Sequence, residues 1–380
     1  MRVVIDYTSA VRQGGGIARY TRGLVGALAE LDAANRYVLF SAGRDRTGKT
    51  WPPNFSLRSL PITDRHLAMA WQRLCVPIPI ELFTGRADVF HSPDFVLPPV
   101  RSARTVLTVH DLSFIRHPEC FHKPLLAYAS RSIPRSVSRA DVILADSEST
   151  RQDLFELLHV PEDRVFVVYP GVDSRFRPQE DAEVIRAVLC RCGIRRPFIL
   201  GLGTLQPRKN FSRLIRAYDL LRRDHHIPHQ LVIAGAKGWL YADIEETIDV
   251  LGLHEHVLLP GFVADDELPA LYSAADVFAF PSLYEGFGIP VLEAMACGTP
   301  VVTTPVSSLP EAAGDAALFV GPEDVEALAD ALWQLIDDGE LRDELRGRGF
   351  QQARRFTWAQ AAESVLSIYQ SLASQNGGKR

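Results

Sequence analysis

The clearest structural pattern of the chain lies in DVFAFPSLYEGFGIPVLEAMACGTPVVTT, residues 276–304. Its apolar runs at 276–282 and 299–304 are typical of buried strands, and the segment between them is typical of a helix. Pro290 fits the first turn of that helix, where a missing N–H leaves no donor unpaired. A strand, a helix and a second strand in this order indicate a parallel sheet with helices packed on its faces.

The same alternation continues in both directions along the chain. The other apolar runs with this strand pattern lie at 2–6, 37–40, 87–92, 104–109, 141–145, 165–171, 197–203, 230–235, 256–261 and 316–321. Segments with a helical pattern separate them, such as 17–31, whose apolar residues fall on one face. Another such helix is expected after Asn210, with Asn210 as its N-cap. We therefore predict an α/β protein with two Rossmann-like, doubly wound domains facing a central cleft, the usual ligand site of such sheets.

The length of 380 residues suits two domains better than one core. Between the two strand series lies GVDSRFRPQED, residues 171–181, which has the turn chemistry and charge of a linker. We predict an N-terminal domain of residues 1–178 and a C-terminal domain of residues 179–356. A last helical segment, residues 357–380, is expected to cross back toward the first domain.

The composition is that of an ordinary globular protein, with 47% hydrophobic and 23% charged residues. No apolar run reaches the roughly 18 residues of a membrane span, and the strand pattern of MRVVIDYTSA argues against a signal peptide. We expect reduced thiols in the cytoplasm for the five cysteines, at positions 75, 120, 190, 192 and 297. Cys190 and Cys192 lack the further ligands that a metal site requires.

Two glutamates, Glu285 and Glu293, frame a loop and a helix start that carry no other charge. The unpaired N–H groups and positive dipole of the helix after Gly288 favour a phosphate, and Gly286 and Gly288 allow it close to the backbone. The two acids are then placed to accept hydrogen bonds from hydroxyl groups on either side of a diphosphate. This arrangement indicates a sugar nucleotide; the alternative is a loop acid and an ordinary helix acid without a ligand.

A second candidate site lies in GLGTLQPRKNFSRL, residues 201–214, at the carboxyl end of the first strand of the second series. Arg208 and Lys209 precede a helix, and two cations beside a helix N-terminus would neutralise a diphosphate leaving group without a metal. Solvated surface is the usual alternative for such a pair, but the position after a strand favours a role in the site.

Gly14, Gly15 and Gly16 join the first strand to its helix and form another turn suited to an anion. This turn does not match the dinucleotide fingerprint, because Arg19 occupies the place of its last glycine. A nicotinamide enzyme is therefore a poor fit, and we expect no bound cofactor.

His110 follows the strand at 104–109 and precedes Asp111. A histidine at a strand end in the predicted cleft is suited to hydrogen-bond a reacting sugar or to act as an acid or base. A buried structural histidine is the alternative, and it is the favoured interpretation of His91, which lies at another strand end.

Together these residues resemble the retaining glycosyltransferases of family 4, which have the GT-B fold. The resemblance covers nearly the whole chain. It is carried by EGFGIPVLE, which matches the family's E-x7-E motif from Glu285 to Glu293, by PRKN, by the glycine-rich first loop, by HD at 110–111 and by LPGFVADDELPALYSAADVF at 259–278. It implies a nucleotide sugar bound mainly by the C-terminal domain, an acceptor bound mainly by the N-terminal domain, and no metal.

The resemblance also implies a role for each matching residue. Glu285 would hold hydroxyls of the transferred sugar, Glu293 would hold the ribose, and His110 would face the sugar near the reacting carbon. The diphosphate would be bound by Arg208, Lys209, Gly15 and Gly16. Sugar hydroxyls and phosphate would meet the backbone of Phe287, Gly288 and Ile289. The base would meet the backbone of Phe262 and Val263. Many members have arginine in place of Thr204, so Arg208 is expected to supply that charge.

The family likeness favours GDP-mannose as the donor, with dTDP-rhamnose or a UDP-sugar as alternatives, and a place in polysaccharide biosynthesis. The glycosyl–phosphate bond would break through an oxocarbenium-like state while negative charge grows on the diphosphate. The motifs offer no convincing nucleophile for a double displacement. The family resemblance instead implies retention by front-face attack, with the leaving phosphate taking the acceptor's proton. Two other functions fit the same motifs: a sugar-nucleotide epimerase of similar shape, and a non-catalytic sugar-nucleotide-binding protein.

The expected acceptor is a glycan or a lipid-linked saccharide. Residues 1–178 carry a net charge of +5 and residues 179–380 a net charge of −10, and no nucleic-acid partner is expected. The segment RHPECFHKPLLAYASRSIPRSVSR, residues 116–139, carries five basic residues and one acid among apolar ones. Such a segment would bind an anionic membrane peripherally, at the inner face; a solvated helix face is the alternative.

Overall fold

The computed structural model describes residues 1–12, 15–43, 48–74 and 76–376. The chain forms two compact units. The first runs from Met1 to Ile115, from Pro124 to Gly171 and from Thr357 onward. The second contains Arg116–Lys123 and Val172–Phe356. The chain thus enters the second unit after Gly171, before the boundary predicted at residue 178, and a short segment of the first half also belongs there.

The first unit is built on a parallel sheet of seven strands. They are β1 (Arg2–Asp6), β2 (Arg36–Ala42), β3 (Phe55–Leu60), β4 (Val89–Ser92), β5 (Arg104–Val109), β6 (Val142–Ala145) and β7 (Val165–Val167). Their order across the sheet is β3-β2-β1-β4-β5-β6-β7. Because β4 lies between β1 and β5, the residues that follow these three strands lie at the same edge of the sheet.

Eight helices accompany this sheet in the described part of the first half and at the end of the chain. They are α1 (Thr8–Arg12), α2 (Gly16–Leu31), α3 (Asp64–Ala68), α4 (Glu81–Thr84), α5 (Ser113–Arg116), α6 (Lys123–Arg139), α7 (Glu148–Leu158) and α16 (Trp358–Asn376).

The second unit is built on a parallel sheet of six strands. They are β8 (Phe198–Leu202), β9 (Gln230–Ala234), β10 (Val257–Gly261), β11 (Val277–Phe280), β12 (Val301–Thr303) and β13 (Ala317–Phe319). Their order is β10-β9-β8-β11-β12-β13, so β8 and β11 are neighbours in the sheet although β9 and β10 lie between them in the chain. Its helices are α8 (Ala182–Cys192), α9 (Phe211–His225), α10 (Ala242–Leu251), α11 (Leu268–Ala274), α12 (Ile289–Ala296), α13 (Leu309–Ala313), α14 (Val325–Asp337) and α15 (Gly339–Ala353).

Both sheets are buried on both faces. Successive strand residues point to opposite sides, yet Val3, Val4 and Ile5 in β1 are all fully buried, and so are consecutive residues of β8 from Phe198 to Leu200. Continuous apolar strands of this kind require helices on each side. The predicted α/β class with two doubly wound parallel sheets is therefore confirmed.

Helix α16 packs in the core of the first unit. Val365 and Tyr369 of α16 are fully buried and belong to the same apolar cluster as Leu24 and Leu28 of α2. A Cβ atom at Gly23 would collide with the Trp358 ring, so this close approach of the two helices requires glycine at position 23.

Two details differ from the prediction. The strand pattern missed β3, an edge strand in which only Phe55 is buried and which therefore lacks the apolar run of the central strands. Asn210 precedes α9, and the predicted stripe from Phe211 to Leu221 is buried, but the Asn210 side chain makes no capping hydrogen bond. Asn210 is the N-cap residue as predicted, but its backbone is left-handed with φ of 60° and its side-chain amide donates to other loops instead of capping the helix.

Cys120, Cys190, Cys192 and Cys297 are free thiols in the structure, while Cys75 lies outside the described residues. In the described ranges, no helix has the length and apolar character needed to cross a bilayer.

Candidate active site

Three charged side chains meet where β8 and β11 end in the second unit. Arg208 and Lys209 follow β8, in a short 3-10 helix at Pro207–Lys209, and Glu285 follows β11. Lys209 Nζ lies 2.6 Å from Glu285 Oε1, and Arg208 Nη1 lies 2.9 Å from Glu285 Oε2. The pairing of the two strands brings these loops together and so forms the cluster.

The cluster is largely withdrawn from solvent. The side chains of Arg208, Lys209 and Glu285 are only 14%, 10% and 9% exposed. Burial of the Glu285 carboxyl opposes its ionisation, but the charges of Arg208 and Lys209 outweigh burial and lower its pKa to about 2. Glu285 is therefore a carboxylate at neutral pH, and the three groups together keep one net positive charge.

Neighbouring groups fix the two cations in place. Arg208 Nη1 also donates to the backbone oxygen of Tyr284 at 2.5 Å. The Lys209 ammonium lies 4.5 Å from the centre of the Phe280 ring, in a cation–π contact. Asn210 donates its side-chain amide to the backbone oxygens of Pro281 at 2.9 Å and Pro322 at 2.7 Å, which ties three loops together.

The start of α12 lies directly after Glu285. Gly288 precedes the helix with φ of +105°, and a Cβ atom there would approach Leu309 Cδ2 to 2.8 Å, so this position requires glycine for two reasons. No side chain caps the helix, and Pro290 occupies its first turn as predicted. The positive end of the helix dipole at this point favours an anion, although the Val291 N–H already donates to the Gly288 oxygen at 2.9 Å. Phe287 is buried against Phe356, with ring centres 5.2 Å apart.

Glu293 lies in α12 and is 1% exposed. The hydroxyl of Tyr272 donates to its Oε2 at 3.1 Å. A carboxylate this deeply buried needs hydrogen-bond donors, and Tyr272 supplies one of them from α11. Its predicted contact with a ribose stays a prediction.

The residues predicted to meet the base follow β10 and differ in exposure. Phe262 is 62% exposed, whereas Val263 is 5% exposed. An exposed aromatic ring is available for stacking on a planar ligand.

The segment Arg116–Lys123 packs near the charged cluster in the second unit, a contact that the sequence pattern did not predict. The Trp239 indole N–H donates to the Cys120 backbone oxygen at 2.7 Å. The His117 ring lies 5.8 Å from the ring of Tyr284, whose carbonyl accepts from Arg208. Trp239 carries no motif that marks this role, so only the three-dimensional structure could reveal it.

In the first unit, Gly15 precedes α2 with φ of +122°, a conformation that favours glycine, and no side chain caps the helix. Gly15 and Gly16 are both exposed, which leaves their backbone accessible. Gly14, the first residue of the predicted turn, lies outside the described residues.

His110 is 8% exposed and has a partner at each ring nitrogen. Nδ1 lies 2.7 Å from Asp146 Oδ2, and Nε2 lies 2.9 Å from the Pro93 backbone oxygen. Burial lowers the pKa of His110, but the Asp146 charge and hydrogen bond outweigh it, and the pKa rises to about 9. Burial in turn raises the pKa of Asp146 against the opposing charge of His110. We take the pair as imidazolium and carboxylate at neutral pH, because the proton satisfies both acceptors.

This geometry bears directly on the role predicted for His110. Both N–H groups are used within the first unit, and neither nitrogen is left for a sugar. Contact of His110 with the transferred sugar therefore stays a prediction, and it would require one of the two bonds to break. His91 is fully buried between Tyr369 and Thr108, at 2.6 Å and 2.8 Å, in agreement with a structural histidine.

Among the described residues, no group of three or more His, Cys, Asp or Glu side chains is arranged to hold a metal ion.

Comparison with known proteins identifies the class. Residues 14–176 match the model described as Glycosyltransferase Family 4, and residues 194–352 match the model described as Glycosyl transferases group 1. The two matches divide along the two units and together span most of the chain. The protein is a glycosyltransferase.

A curated relative places it more narrowly. O-antigen chain mannosyltransferase B of Escherichia coli is 34% identical over 284 residues, which are 75% of this chain and 74% of the relative. The chain belongs to glycosyltransferase family 4, with a group 1 domain in its second half. The family predicted from the motifs is confirmed.

Solved structures agree on the fold. Sucrose-phosphate synthase from Thermosynechococcus elongatus superposes with a TM-score of 0.78 at 21% identity, over 99% of this chain and 100% of that one. Anabaena HepE, solved in complex with UDP and glucose, gives a TM-score of 0.73 at 19% identity, over 97% and 99%. These neighbours support the GT-B fold predicted for the chain.

Proposed function

We propose that the protein transfers mannose from GDP-mannose to a glycan or a lipid-linked saccharide, with retention of configuration and without a metal. The mannosyltransferase of Escherichia coli named above supports mannose as the sugar. The Anabaena structure with UDP and glucose supports a nucleotide-sugar donor for this fold. The preference for guanosine rests on the likeness of GTLQPRKN to the family.

The observation that carries the proposal is the cluster of Arg208, Lys209 and Glu285 beside the uncapped start of α12. Its net positive charge and the backbone amides of Phe287, Gly288 and Ile289 form a site for a diphosphate. Glu285, ionised by its two neighbours, can only accept hydrogen bonds, which suits hydroxyls of the transferred sugar.

The rest of the donor is assigned by position. Glu293 is proposed to hold the ribose, and the backbone around Phe262 and Val263 to meet the base, with the exposed Phe262 ring available for stacking. Gly15 and Gly16 are proposed as an anion-binding turn of the first unit.

In the proposed reaction the bond between the anomeric carbon and the phosphate oxygen breaks, and the electron pair stays on the diphosphate. Arg208 and Lys209 stabilise the growing negative charge, and each such fixed donor contributes roughly 3 kcal/mol in comparable sites. The acceptor hydroxyl bonds to the same face of the anomeric carbon, and its proton moves to the leaving phosphate. An Asp or Glu trapped as a glycosyl adduct would contradict this front-face route.

The test is a transfer assay with a panel of nucleotide sugars, in which NMR identifies the released nucleotide and the configuration of the product. GDP-mannose is expected to give GDP and a retained mannoside at the same rate with and without a chelator. An epimerase would change the donor in the absence of acceptor. An inverted product, loss of activity on chelation, or no transfer from any donor would contradict the corresponding part of the proposal.

The acceptor side is proposed to lie near an anionic membrane at the cytoplasmic face. Helix α6 buries Ala129, Ile133 and Val137 and exposes basic residues along its other side, including Arg131 and Arg135. Vesicle flotation tests this: binding should require anionic lipid and weaken with salt, because a charge attraction is screened. Equal flotation with neutral and anionic vesicles would contradict it.

A further inference from the structure

The turn after β4 has a structural feature that the donor site does not explain. Asp94 lies in this turn, at the sheet edge where Asp6 ends β1 and His110 follows β5. The carboxyl ends of neighbouring parallel strands converge at such an edge, so the three side chains belong to one region of the first unit.

His110 holds this turn in place. Its Nε2 donates to the Pro93 backbone oxygen at 2.9 Å, and the Phe95 ring packs edge-on against the imidazole with centres 5.1 Å apart. The Ser92 hydroxyl donates to the Val96 backbone oxygen at 2.7 Å and closes the turn around Asp94. Phe95 has φ of 46°, an unusual conformation for a non-glycine residue, which the surrounding contacts maintain.

Asp94 itself lacks hydrogen-bond donors. Its side chain makes no hydrogen bond or ion pair with any residue in the described ranges, and the residue is partly buried. Burial raises the pKa of Asp94, and the charge of His110 opposes that rise. A half-buried carboxyl group without donors is destabilised until a ligand supplies them.

An aromatic ring lies within electrostatic reach of this carboxyl group. Tyr128, on α6, is 40% exposed, and its phenol pKa is raised first by burial and then by the charge of Asp94. The charge of Asp94 also acts on Asp6. Burial raises the pKa of Asp6 to about 6, the hydrogen bonds from Thr8 oppose that rise, and the charge of Asp94 adds to it. Carboxylates that accept from hydroxyls, next to an exposed ring, form a surface suited to a polyhydroxylated ligand.

We propose that Asp94, in the turn held by His110, binds hydroxyl groups of the acceptor saccharide, with the Tyr128 ring packing against a sugar face. His110 is then a positioning residue for the acceptor turn, acting through the Pro93 carbonyl and the Phe95 ring. This inference rests on the proposed function, since it concerns the acceptor of the same reaction, but it is tested without the donor.

The first experiment measures saccharide binding alone. Saturation-transfer NMR and calorimetry with a panel of mannose di- and trisaccharides would compare wild type with Asp94→Ala, and Asp163→Asn would serve as an exposed aspartate control in the same unit. Loss of a hydrogen bond to a charged group predicts a roughly ten- to hundredfold weaker affinity for Asp94→Ala and no change for the control. Equal affinities, or no saccharide bound by wild type, would overturn the proposal.

The second experiment separates the acceptor turn from the donor site. For Asp94→Ala we expect the acceptor KM to rise while the donor KM and the slow transfer of sugar to water stay within twofold of wild type. His110→Asn, which keeps a donor toward Asp146 and loses the one to Pro93, should raise the acceptor KM in the same direction. A rise in the donor KM alone would overturn the assignment of Asp94 to the acceptor. Failure of wild type to use any nucleotide sugar would refute the proposed function, but the result of the saccharide-binding experiment would still stand.

Discussion

Lys209 Nζ lies 2.6 Å from Oε1 of Glu285, although the two residues are 76 positions apart in the chain. The pairing of β8 with β11 accounts for this contact, because each residue lies in the loop after one of the two strands. The carboxylate holds Lys209 and Arg208 at the sheet edge and leaves a net positive charge beside the start of α12. A fixed positive site of this kind is what a departing diphosphate requires.

The first prediction concerns the charge of Glu285. Glu285→Gln leaves two nearly buried cations without their counter-charge, and we expect the free energy of unfolding to fall by about 3 kcal/mol. Transfer activity should fall roughly a hundredfold, because the cations lose their fixed positions. Urea unfolding and initial rates measure the two effects.

Glu323→Gln is the matched control for this change. Glu323 also pairs with an arginine, Arg213, at 3.4 Å, but its side chain is 81% exposed. Exposed pairs contribute little, so neither stability nor rate should change measurably. If Glu285→Gln behaved like this control, the cluster would have no structural or catalytic role.

The second prediction concerns the His110–Asp146 pair. The pKa of His110 is raised to about 9 in the folded protein, above its usual value near 6.5. A raised pKa stabilises the fold fully below pH about 6.5, and the contribution is lost as the pH rises from about 6.5 to 9. Unfolding of wild type and His110→Gln should therefore differ most at pH 6 and converge by pH 10. A difference that stays constant with pH would show that His110 is neutral in the folded protein.

The third prediction concerns Gly288. An alanine there must adopt φ near +105° and place its Cβ 2.8 Å from Leu309 Cδ2. We expect a loss of stability of about 1–3 kcal/mol and weaker binding of GDP, since the start of α12 must shift. Thermal unfolding with and without GDP measures both.

Gly347→Ala provides the comparison for that variant. Gly347 lies within α15, and a Cβ atom there would meet nothing within 4 Å. Alanine should raise stability there by about 0.5–1 kcal/mol, because it lowers the conformational entropy of the unfolded chain. Equal behaviour of the two variants would contradict the requirement for glycine at the start of α12.

The sequence predicted those parts of the fold that depend on local patterns. All six strands of the second sheet follow from apolar runs, and Pro290 marks the start of α12. The edge strand β3 was missed because its residues are half-exposed and carry no such run. Asn210 was correctly placed at the start of α9, but local sequence does not reveal that its side-chain amide donates to two distant carbonyls, at Pro281 and Pro322.

The site was predicted in the same uneven way. Arg208, Lys209 and Glu285 were chosen as site residues one motif at a time, but their mutual contact depends on which strands are neighbours. The partners of His110 are also distant in the chain: Asp146 lies 36 positions away and Pro93 lies 17 positions away. Trp239 and its hydrogen bond to Cys120 follow no sequence motif, since the contact spans 119 positions.

The most direct test of the central claim is calorimetric titration of GDP into wild type and Lys209→Met in the presence of a chelator. Wild type is expected to bind GDP without a metal, and Lys209→Met roughly a hundredfold more weakly, because one charge-assisted contact to the diphosphate is lost. Guanosine, which has no phosphate, should bind both proteins equally. Equal affinity of the two proteins for GDP, or binding that appears only when a divalent metal is restored, would contradict the assignment of the diphosphate to this cluster.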